Sequence, residues 1–499
     1  MGETDRRSDG RGEADVANGT GAPATAGMPG TDVPGTGAPT TLLRRVALGI
    51  ASDAEGLPRA DDETRDVLLR DGRVARIAAP GTIDAPPGAG TIDGAGLVAL
   101  PGFTDLYGRL REPGPSRRGT LASETRAALA GGFTTVLCAP DTDPVIDSTA
   151  TLELIRRRAA LAPAARVAPI AALTKGLDGR ELAELATLAA AGAVAAGQAD
   201  RPIEHTGVLR SAMRYAASFD LPLIMRAQDA HLGAGGCAHE GAVATRLGLP
   251  GISVTAETVA LARLLELCRD TGCRLHVSRL STARGVAMLA DAKREGLPVT
   301  ADVGIHHLFF TDHAIAGFDA RFRSAVPFRG TEDRAALREG LAEGTIDAIC
   351  SDHAPEDSDA RLAPFAACAP GLSAYDRFLP LLLALPRVGG VPLGRVLDAV
   401  TGGPGRVLGF GGNGRDDARN IEPSGAGGTD GPTPRFADGD PADLVLVDPA
   451  AADARTPISA GRNTPIQGVD DLGAVSDEEG PLAGAARWTF VGGERRHGS

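Results

Sequence analysis

The middle of the chain alternates short apolar runs of strand length with longer Ala, Leu, Glu and Arg stretches of helical period. Residues that commonly mark the start and end of a helix flank these stretches, such as Ser123 before ETRAALA and Gly296 after LADAKRE. The eight strand candidates are GFTDLYGRL from 102, FTTVLCAP from 133, ARVAPIAAL from 165, AVAAGQ from 193, LPLIMRAQ from 221, CRLHVSRLS from 273, LPVTADVGI from 297 and DAICSDHAP from 347. Eight strand–helix units in about 250 residues predict an α/β fold, the (β/α)8 TIM barrel. A doubly wound parallel sheet is the alternative that the pattern leaves open.

The two flanks of this region have a different pattern, with strands separated by hairpin-like DG and GG turns. These strands are TLLRRVALGIA from 41, TRDVLLRDGRVARIAA from 64, ADLVLVDP from 442 and ARWTFVGGERR from 486. Each flank is too small to bury a core alone, so we predict that both chain ends join in one small β-sandwich. The predicted boundaries are 39–100 and 435–499 for the two parts of the sandwich and 101–410 for the barrel.

Two further stretches have almost no large apolar residues. They are residues 1–38 and residues 411–434, both rich in Gly and Asp. Such segments cannot bury enough apolar surface to offset the entropy lost on ordering. We expect a disordered tail and a disordered surface insertion.

Composition narrows the class of protein. Hydrophobic residues make up 43% of the 499 residues, which suits a soluble globular chain. The net charge of -13 argues against binding to nucleic acid or to an anionic membrane. The longest apolar run, Phe378 to Pro386, is far shorter than the roughly 20 residues of a membrane helix. Six scattered cysteines without a CxxC pair indicate reduced thiols, and we expect a cytoplasmic protein.

Several motifs make the chain recognisable. They are PGFTDLYGRLREPG (101–114), LTKG (173–176), EGAVATRLGLPGI (240–252), GIHHLFFTD (304–312), GTIDAICSDHAP (344–355), ADLVLVDP (442–449) and GRNTPIQG (461–468). In this order and spacing they resemble the dihydroorotase branch of the amidohydrolase superfamily. The resemblance covers nearly everything from about residue 41 to 495 apart from the insertion.

The resemblance implies a barrel with its active site at the C-terminal ends of the strands. In active members that site holds one or two zinc ions. Their bound hydroxide attacks the cyclic amide of dihydroorotate, and the reverse reaction closes carbamoyl aspartate in pyrimidine biosynthesis.

The metal-ligand positions that the resemblance implies are almost all changed in this chain. Asp352, in SDHAP, is the one ligand position that is kept, as a vestigial general-base position. The other ligand-equivalent positions hold Tyr107, Arg109, Gln198, Arg226 and Arg279. A protonated guanidinium has no lone pair to give to zinc. We therefore expect no metal cofactor, and we expect Arg109, Arg226 and Arg279 to project toward Asp352.

The nine histidines offer no replacement site, since they contain no HxH, HxxxH or HExxH spacing. His306 and His307 are adjacent, and in a strand they would point to opposite faces. His276 and His353 match histidines of active members, and we expect them to be packed or hydrogen-bonded.

Four residues at the positions that the resemblance assigns to substrate binding form what we call the substrate-binding remnant, and three of them are changed. Arg111 keeps the arginine that the family uses to hold the substrate carboxylate. Two family asparagines are replaced by Asp141 and Ala325, and the histidine that closes the DHAPH motif is Glu356. The added carboxylates would repel an anionic substrate.

Three functions remain open at this stage. The resemblance extends to dihydroorotase-like chains without metal ligands that associate with aspartate carbamoyltransferase, and we favour such a non-catalytic structural or regulatory subunit within an oligomer. The second hypothesis is an active cyclic-amide hydrolase with an altered or displaced metal. The third is an anion-binding sensor that uses Arg109, Arg111, Arg226 and Arg279, unless these arginines pair with Asp352, Asp229 and Glu356.

Overall fold

A computed structural model of the 499-residue chain describes residues 39–52, 58–162, 164–409, 436–452, 457–466 and 482–498. The predicted tail (1–38) and the predicted insertion (411–434) lie outside these residues. In the described part of the chain, no helix combines the length and hydropathy that crossing a bilayer requires.

The described elements follow the predicted alternation. Seven strands come first: β1 (Thr41–Ala47), β2 (Ile50–Ser52), β3 (Pro58–Ala60), β4 (Thr64–Arg70), β5 (Arg73–Ala78), β6 (Gly90–Asp93) and β7 (Val98–Pro101). Strands and helices then alternate: β8 (Phe103–Gly108), α1 (Leu121–Ala130), β9 (Phe133–Cys138), α2 (Thr149–Ala160), β10 (Arg166–Ala172), α3 (Leu185–Ala190), β11 (Ala195–Gly197), α4 (Thr206–Ala217), β12 (Leu223–Met225), β13 (Ala238–His239), α5 (Ala242–Leu247), β14 (Gly251–Ile252), α6 (Val254–Thr271), β15 (Leu275–Val277), α7 (Ala283–Arg294), β16 (Val299–Gly304), α8 (Thr331–Glu343) and β17 (Ala348–Cys350). The remaining elements are α9 (Tyr375–Gly389), α10 (Leu393–Asp398), α11 (Gly402–Leu408), β18 (Leu444–Ala452), β19 (Ala483–Val491) and β20 (Glu494–His497).

Eight parallel strands form the barrel, in the order β8, β9, β10, β11, β12, β15, β16, β17. The gap between the first and last strands is narrow. Gly108 and His353 form a parallel bridge across it, and the N–H of Arg109 donates to the carbonyl oxygen of His353 over 2.8 Å. A doubly wound sheet would leave these two strands at opposite edges. The predicted TIM barrel is therefore confirmed.

The two chain ends meet in a separate sheet. Its strand order is β20, β19, β18, β7, β1, β4, β5, with β6 on the side of β1. The central junction is antiparallel, pairing Leu446 of β18 with Ala99 of β7. The prediction that both chain ends join in one β-structure beside the barrel is confirmed. Its strands are hydrogen-bonded in one sheet, whose Arg73 end bridges back to Pro441. The sheet thus curls round its own core, which includes Leu43 and Phe490.

The predicted hairpin turns are present in this sheet. Asp71 and Gly72 join β4 to β5 with φ values of 52° and 74°. Gly492 and Gly493 join β19 to β20 with φ values of 57° and 77°. Two consecutive positive φ values match the right-handed twist of paired strands, which is why DG and GG sequences mark such turns.

The paired histidines do not lie on a strand as expected. Gly304 ends β16, and His306 and His307 belong to a 3-10 turn over Ile305–Leu308. Both are buried, and neither ring nitrogen of His306 has a hydrogen-bond partner among the described residues. Burial lowers the pKa of His306 to about 3 and that of His307 to about 4.

This burial predicts acid sensitivity that can be assigned to His306. Because the pKa of His306 is lower in the folded than in the unfolded state, its contribution to the free energy of unfolding is complete above pH 6.5, the ordinary histidine pKa. That contribution is lost as the pH falls from there toward about 3. At pH 5 the loss is about 2 kcal/mol for this one group. We expect urea unfolding at pH 7.5 and pH 5.0 to show a smaller acid loss for His306→Phe than for the wild type. The exposed His231→Gln is the control, and equal losses in all three proteins would contradict the assignment.

Candidate active site

The mouth of the barrel collects charged side chains from the ends of several strands. Arg109 follows β8, Asp200 follows β11, Arg226 follows β12 and Arg279 follows β15. Because parallel strands all end on the same face, residues that follow them converge there despite their separation in sequence.

Asp200 is the centre of this convergence. Its Oδ1 lies 2.6 Å from Nη2 of Arg279 and 3.1 Å from Nη1 of Arg226, and its Oδ2 lies 2.5 Å from Nη2 of Arg109. Burial alone would raise its pKa, but Arg279, Arg109 and Arg226 hold the pKa of Asp200 well below the usual range. The carboxylate is therefore fully ionised and shared by three cations.

The sequence predicted Asp352 as the meeting point of the three arginines, and this is wrong for two of them. Arg279 does reach Asp352, with Nη1 and Oδ1 3.0 Å apart. Arg109 turns its Nε to Asp141 over 2.7 Å, and Nη2 of Arg226 donates to the carbonyl oxygen of Ala325 over 2.7 Å. The contacts of Asp200 draw both side chains away from Asp352.

The two uncharged ligand-equivalent residues also have internal partners. The guanidinium of Arg279 lies over the ring of Tyr107, 4.0 Å from its centroid, a cation–π contact. The Tyr107 hydroxyl accepts a hydrogen bond from Nη2 of Arg109 over 3.0 Å. Gln198 is buried and donates from Nε2 to the hydroxyl of Thr174 over 2.8 Å.

A small cavity lies beside these side chains. The cavity beside Asp200, Arg226 and Gln228 has a volume of about 10 Å³. That is roughly the space of one water molecule. A cyclic amide the size of dihydroorotate does not fit there without rearrangement of the surrounding side chains.

In the substrate-binding remnant, Arg111 and Glu356 also pair within the chain. Nη2 of Arg111 lies 2.6 Å from Oε1 of Glu356, and Nε of Arg118 lies 3.2 Å from Oε2 of the same carboxylate. Asn463 holds this segment by accepting the Glu356 N–H over 3.0 Å. Asp229 does not pair with an arginine among the described residues, and its carboxylate accepts backbone N–H groups instead.

The two motif histidines have hydrogen-bonding roles beneath the mouth. Nε2 of His276 lies 2.8 Å from Asp302, which also accepts the backbone N–H of Arg279 over 2.6 Å. Nε2 of His353 lies 2.8 Å from Glu124. The expectation of packed, hydrogen-bonded histidines agrees with these contacts, because each one braces a segment that carries a charged residue of the mouth.

The donor set does not fit a zinc ion. Zinc sites use histidine, thiolate and carboxylate ligands, whereas three of the ligand-equivalent positions hold protonated guanidinium groups. In the described residues no group of three or more His, Cys, Asp or Glu side chains has a metal-binding arrangement. Asp200 could ligate a cation, but its oxygens already face Arg109, Arg226 and Arg279.

A barrel closed by eight parallel strands, joined to a sheet built from both chain ends, defines the amidohydrolase fold. L-hydantoinase (dihydropyrimidinase) from Arthrobacter aurescens has this fold, with a TM-score of 0.72, 22% identity and coverage of 91% of this chain and 95% of that one. A sequence model described as Dihydro-orotase-like matches residues 96–284.

Relatives that align over most of the chain identify its family more specifically. A dihydroorotase-like protein of Pseudomonas putida is 42% identical over 440 residues, 88% of this chain and 96% of the relative. The dihydroorotase-like protein of Pseudomonas aeruginosa is 41% identical over 444 residues, 88% of this chain and 97% of the relative. A dihydroorotase of Anaeromyxobacter dehalogenans is 40% identical over 441 residues, 87% of this chain and 94% of the relative. The chain belongs to the dihydroorotase-like family.

Sequence reasoning missed Asp200, although it lies two residues beyond Gln198, which the resemblance had marked. The signal available was a carboxylate close to the end of a strand candidate. Between the two, Ala199 has a φ of 51°. This left-handed conformation is uncommon for alanine and is not evident from its sequence. It accompanies a turn in which the side chain of Asp200 reaches the arginines.

Asp200 is therefore predicted to be the most sensitive residue of the mouth. Removing one partner of a fully buried ion pair costs about 3–5 kcal/mol. The Asp200 side chain is 22% exposed, so we expect Asp200→Asn to lower the free energy of unfolding by about 2–3 kcal/mol. Chemical denaturation measures this loss.

The matched control is Asp270→Asn, which removes a surface carboxylate 2.6 Å from Arg210. Exposed pairs contribute about 0–1 kcal/mol. Similar losses in the two variants would mean that the contacts of Asp200 do not hold the mouth together.

Proposed function

We propose that this protein is a non-catalytic member of the dihydroorotase-like family that acts in pyrimidine biosynthesis as a structural or regulatory subunit of aspartate carbamoyltransferase. The observation that carries the proposal is the three-way ion cluster of Asp200 with Arg109, Arg226 and Arg279. These arginines stand where active relatives are expected to bind metal.

Charge balance supports a site that is complete without a metal. Three guanidinium groups are matched by three carboxylates, since Asp141 and Asp352 take the remaining contacts of Arg109 and Arg279. Buried charges are tolerated when they are paired and hydrogen-bonded, as these are. A divalent cation placed among them would be repelled by the arginines.

Chemistry also argues against hydrolysis at this position. Attack on an amide at neutral pH needs a water whose pKa is lowered from about 15.7 toward about 7. The Oδ1 atom of Asp352 already pairs with the Arg279 guanidinium, 3.0 Å away, and no metal is at hand to activate a water beside it. Arg111 is occupied by Glu356 and is not free for a substrate carboxylate.

The choice of partner rests on the resemblance to metal-free family members that associate with aspartate carbamoyltransferase. Two relatives that align over nearly their whole length carry the name dihydroorotase-like protein. In this proposal the barrel contributes surface and stability to the assembly, and it carries no cofactor of its own.

Co-expression with the carbamoyltransferase of the same organism tests the assembly. We expect the two chains to elute together in size-exclusion chromatography, at a mass larger than either chain gives alone. The Asp352→Asn variant, compared at a temperature at which circular dichroism shows it folded, should co-elute equally well and leave carbamoyltransferase activity unchanged. Two separately eluting proteins would contradict the proposal.

The competing hydrolase hypothesis makes a different prediction for the purified chain. If a displaced metal supported catalysis, zinc would be present and dihydroorotate would be turned over. We expect less than one-tenth of a zinc ion per chain by mass spectrometry of the metal. We also expect no turnover of dihydroorotate or carbamoyl aspartate, with an active dihydroorotase as the control. Stoichiometric zinc with turnover that Asp352→Asn abolishes would establish an enzyme instead.

A further inference from the structure

Between β12 and α6 the chain leaves the barrel and forms a segment, residues 237–252, that we call the rim segment. It contains β13, α5 and β14, and the two strands pair in parallel with His239 opposite Ile252. Arg329, in the loop that precedes α8, contacts both strands. Its Nη1 donates to the carbonyl oxygen of Ile252 over 2.7 Å and to Nδ1 of His239 over 3.2 Å.

The other contacts of Arg329 lie on the barrel. Its Nε donates to the hydroxyl oxygen of Ser281, which follows β15, over 3.1 Å. Its carbonyl oxygen accepts the N–H of Asp312 over 2.9 Å. Arg329 is 4% exposed. A buried guanidinium needs acceptors for its N–H groups, because an unmade hydrogen bond of a buried charged donor costs free energy. Arg329 therefore connects the rim segment to the barrel, and the connection depends on its acceptors.

The hydrogen bond to His239 fixes the protonation state of this ring. Arginine donates and cannot accept, so Nδ1 of His239 is the acceptor. A neutral imidazole whose Nδ1 accepts carries its proton on Nε2. When the ring gains a second proton, both ring nitrogens become donors. Protonated His239 thus cannot accept from Arg329, and two cations would then face each other across this contact.

Four charged residues surround the His239 ring. Burial and the positive charge of Arg329 lower the pKa of His239 from its ordinary value of 6.5. The carboxylates of Asp312, Asp333 and Glu240 oppose this shift without reversing it. The hydrogen bond to Arg329 is therefore complete above pH 6.5 and is lost as the pH falls below that value. Because the ring is half-buried, protons from solvent reach it without unfolding of the barrel.

We propose that His239 is a pH-sensitive latch for the rim segment. The neutral ring accepts from Arg329 and holds the segment against the barrel. The protonated ring releases Arg329, and the rim segment then opens more often than at neutral pH. The one chemical step is the transfer of a proton from solvent to Nδ1. The latch does not rest on the proposed partner, since assembly with a carbamoyltransferase could fail while the latch operates, and the reverse outcome is equally distinguishable.

The chain on the other side of the latch is held independently of His239. The carbonyl oxygen of Ala325 accepts from Nη2 of Arg226 over 2.7 Å, and the carbonyl oxygen of Val326 accepts from Nε2 of His307 over 3.1 Å. These contacts fix the stretch that leads to Arg329. We therefore expect release by His239 to loosen the rim segment and to leave Arg329 in place on the barrel.

Hydrogen exchange of the full chain, measured by mass spectrometry at pH 7.5 and pH 5.0, tests the latch by comparing the wild type with His239→Asn. The asparagine Oδ1 can replace Nδ1 as the acceptor and does not titrate. At pH 7.5 the two proteins should protect the rim segment equally. At pH 5.0 the wild type should exchange there about five-fold faster, which corresponds to the loss of one hydrogen bond. Because every other histidine is present in both proteins, this difference isolates His239. Equal exchange of the two proteins at pH 5.0 would overturn the proposal.

Two further variants, each checked for folding by circular dichroism, assign the effect. His239→Phe removes the acceptor, so at pH 7.5 its rim segment should already have the low protection that the wild type shows at pH 5.0, after correction for the intrinsic exchange rate. Wild-type protection in this variant would show that the bond to Arg329 does not hold the segment. His231→Asn is the matched control, because His231 is exposed and precedes the same segment. It should keep the full pH dependence, and loss of that dependence would assign the latch to the wrong histidine.

The position of the ring proton gives a second measurement that does not depend on opening. In protein labelled with nitrogen-15 histidine at pH 7.5, nuclear magnetic resonance should show the neutral His239 ring protonated on Nε2. The signal is assigned by its absence from His239→Asn. A ring protonated on Nδ1 would contradict the bond to Arg329 and with it the latch.

Discussion

The barrel mouth depends on the carboxylate of Asp200, which three guanidinium groups share. One carboxylate cannot neutralise three cations, so the arrangement holds only because Asp141 and Asp352 complete the balance. Leaving any of these cations unpaired in a poorly solvated site would cost several kcal/mol. The network ties together the loops that follow β8, β9, β11, β12, β15 and β17. It therefore gives the open end of the barrel a cross-link that in active relatives a metal is expected to supply.

The backbone beneath the cluster is held in an uncommon conformation. Ala199, Arg279 and Asp352 all have positive φ values, of 51°, 59° and 47°. Such conformations cost of order 1–3 kcal/mol each and persist when the surroundings over-determine them. At Arg279 the surroundings are Asp302, which accepts its backbone N–H, and Asp200 and Asp352, which receive its side chain. His276 contributes to this arrangement because its Nε2 lies 2.8 Å from Asp302 and positions that carboxylate.

Much of the fold could be predicted from sequence, because strand and helix periods alternate clearly and the DG and GG turns have a direct backbone cause. The location of Arg109, Arg226 and Arg279 at the strand ends could also be predicted from the motifs. Their common partner was not, since it depends on a left-handed alanine, Ala199, after a strand of three residues. The position of His306 was mistaken for a similar reason. The apolar pattern continues past Gly304, whereas the hydrogen bonding changes from a strand to a 3-10 turn.

The pattern of substitutions bears on why such a barrel is retained. Random loss of a metal site would leave isolated charges, which destabilise a fold. Here Arg109 faces Asp141 and Arg111 faces Glu356. By the resemblance, these two carboxylates stand where an asparagine and a histidine are expected. Each cation of the mouth thus meets a carboxylate that satisfies it. Complementary charges of this kind stabilise a folded barrel whose ligand-equivalent positions hold arginines.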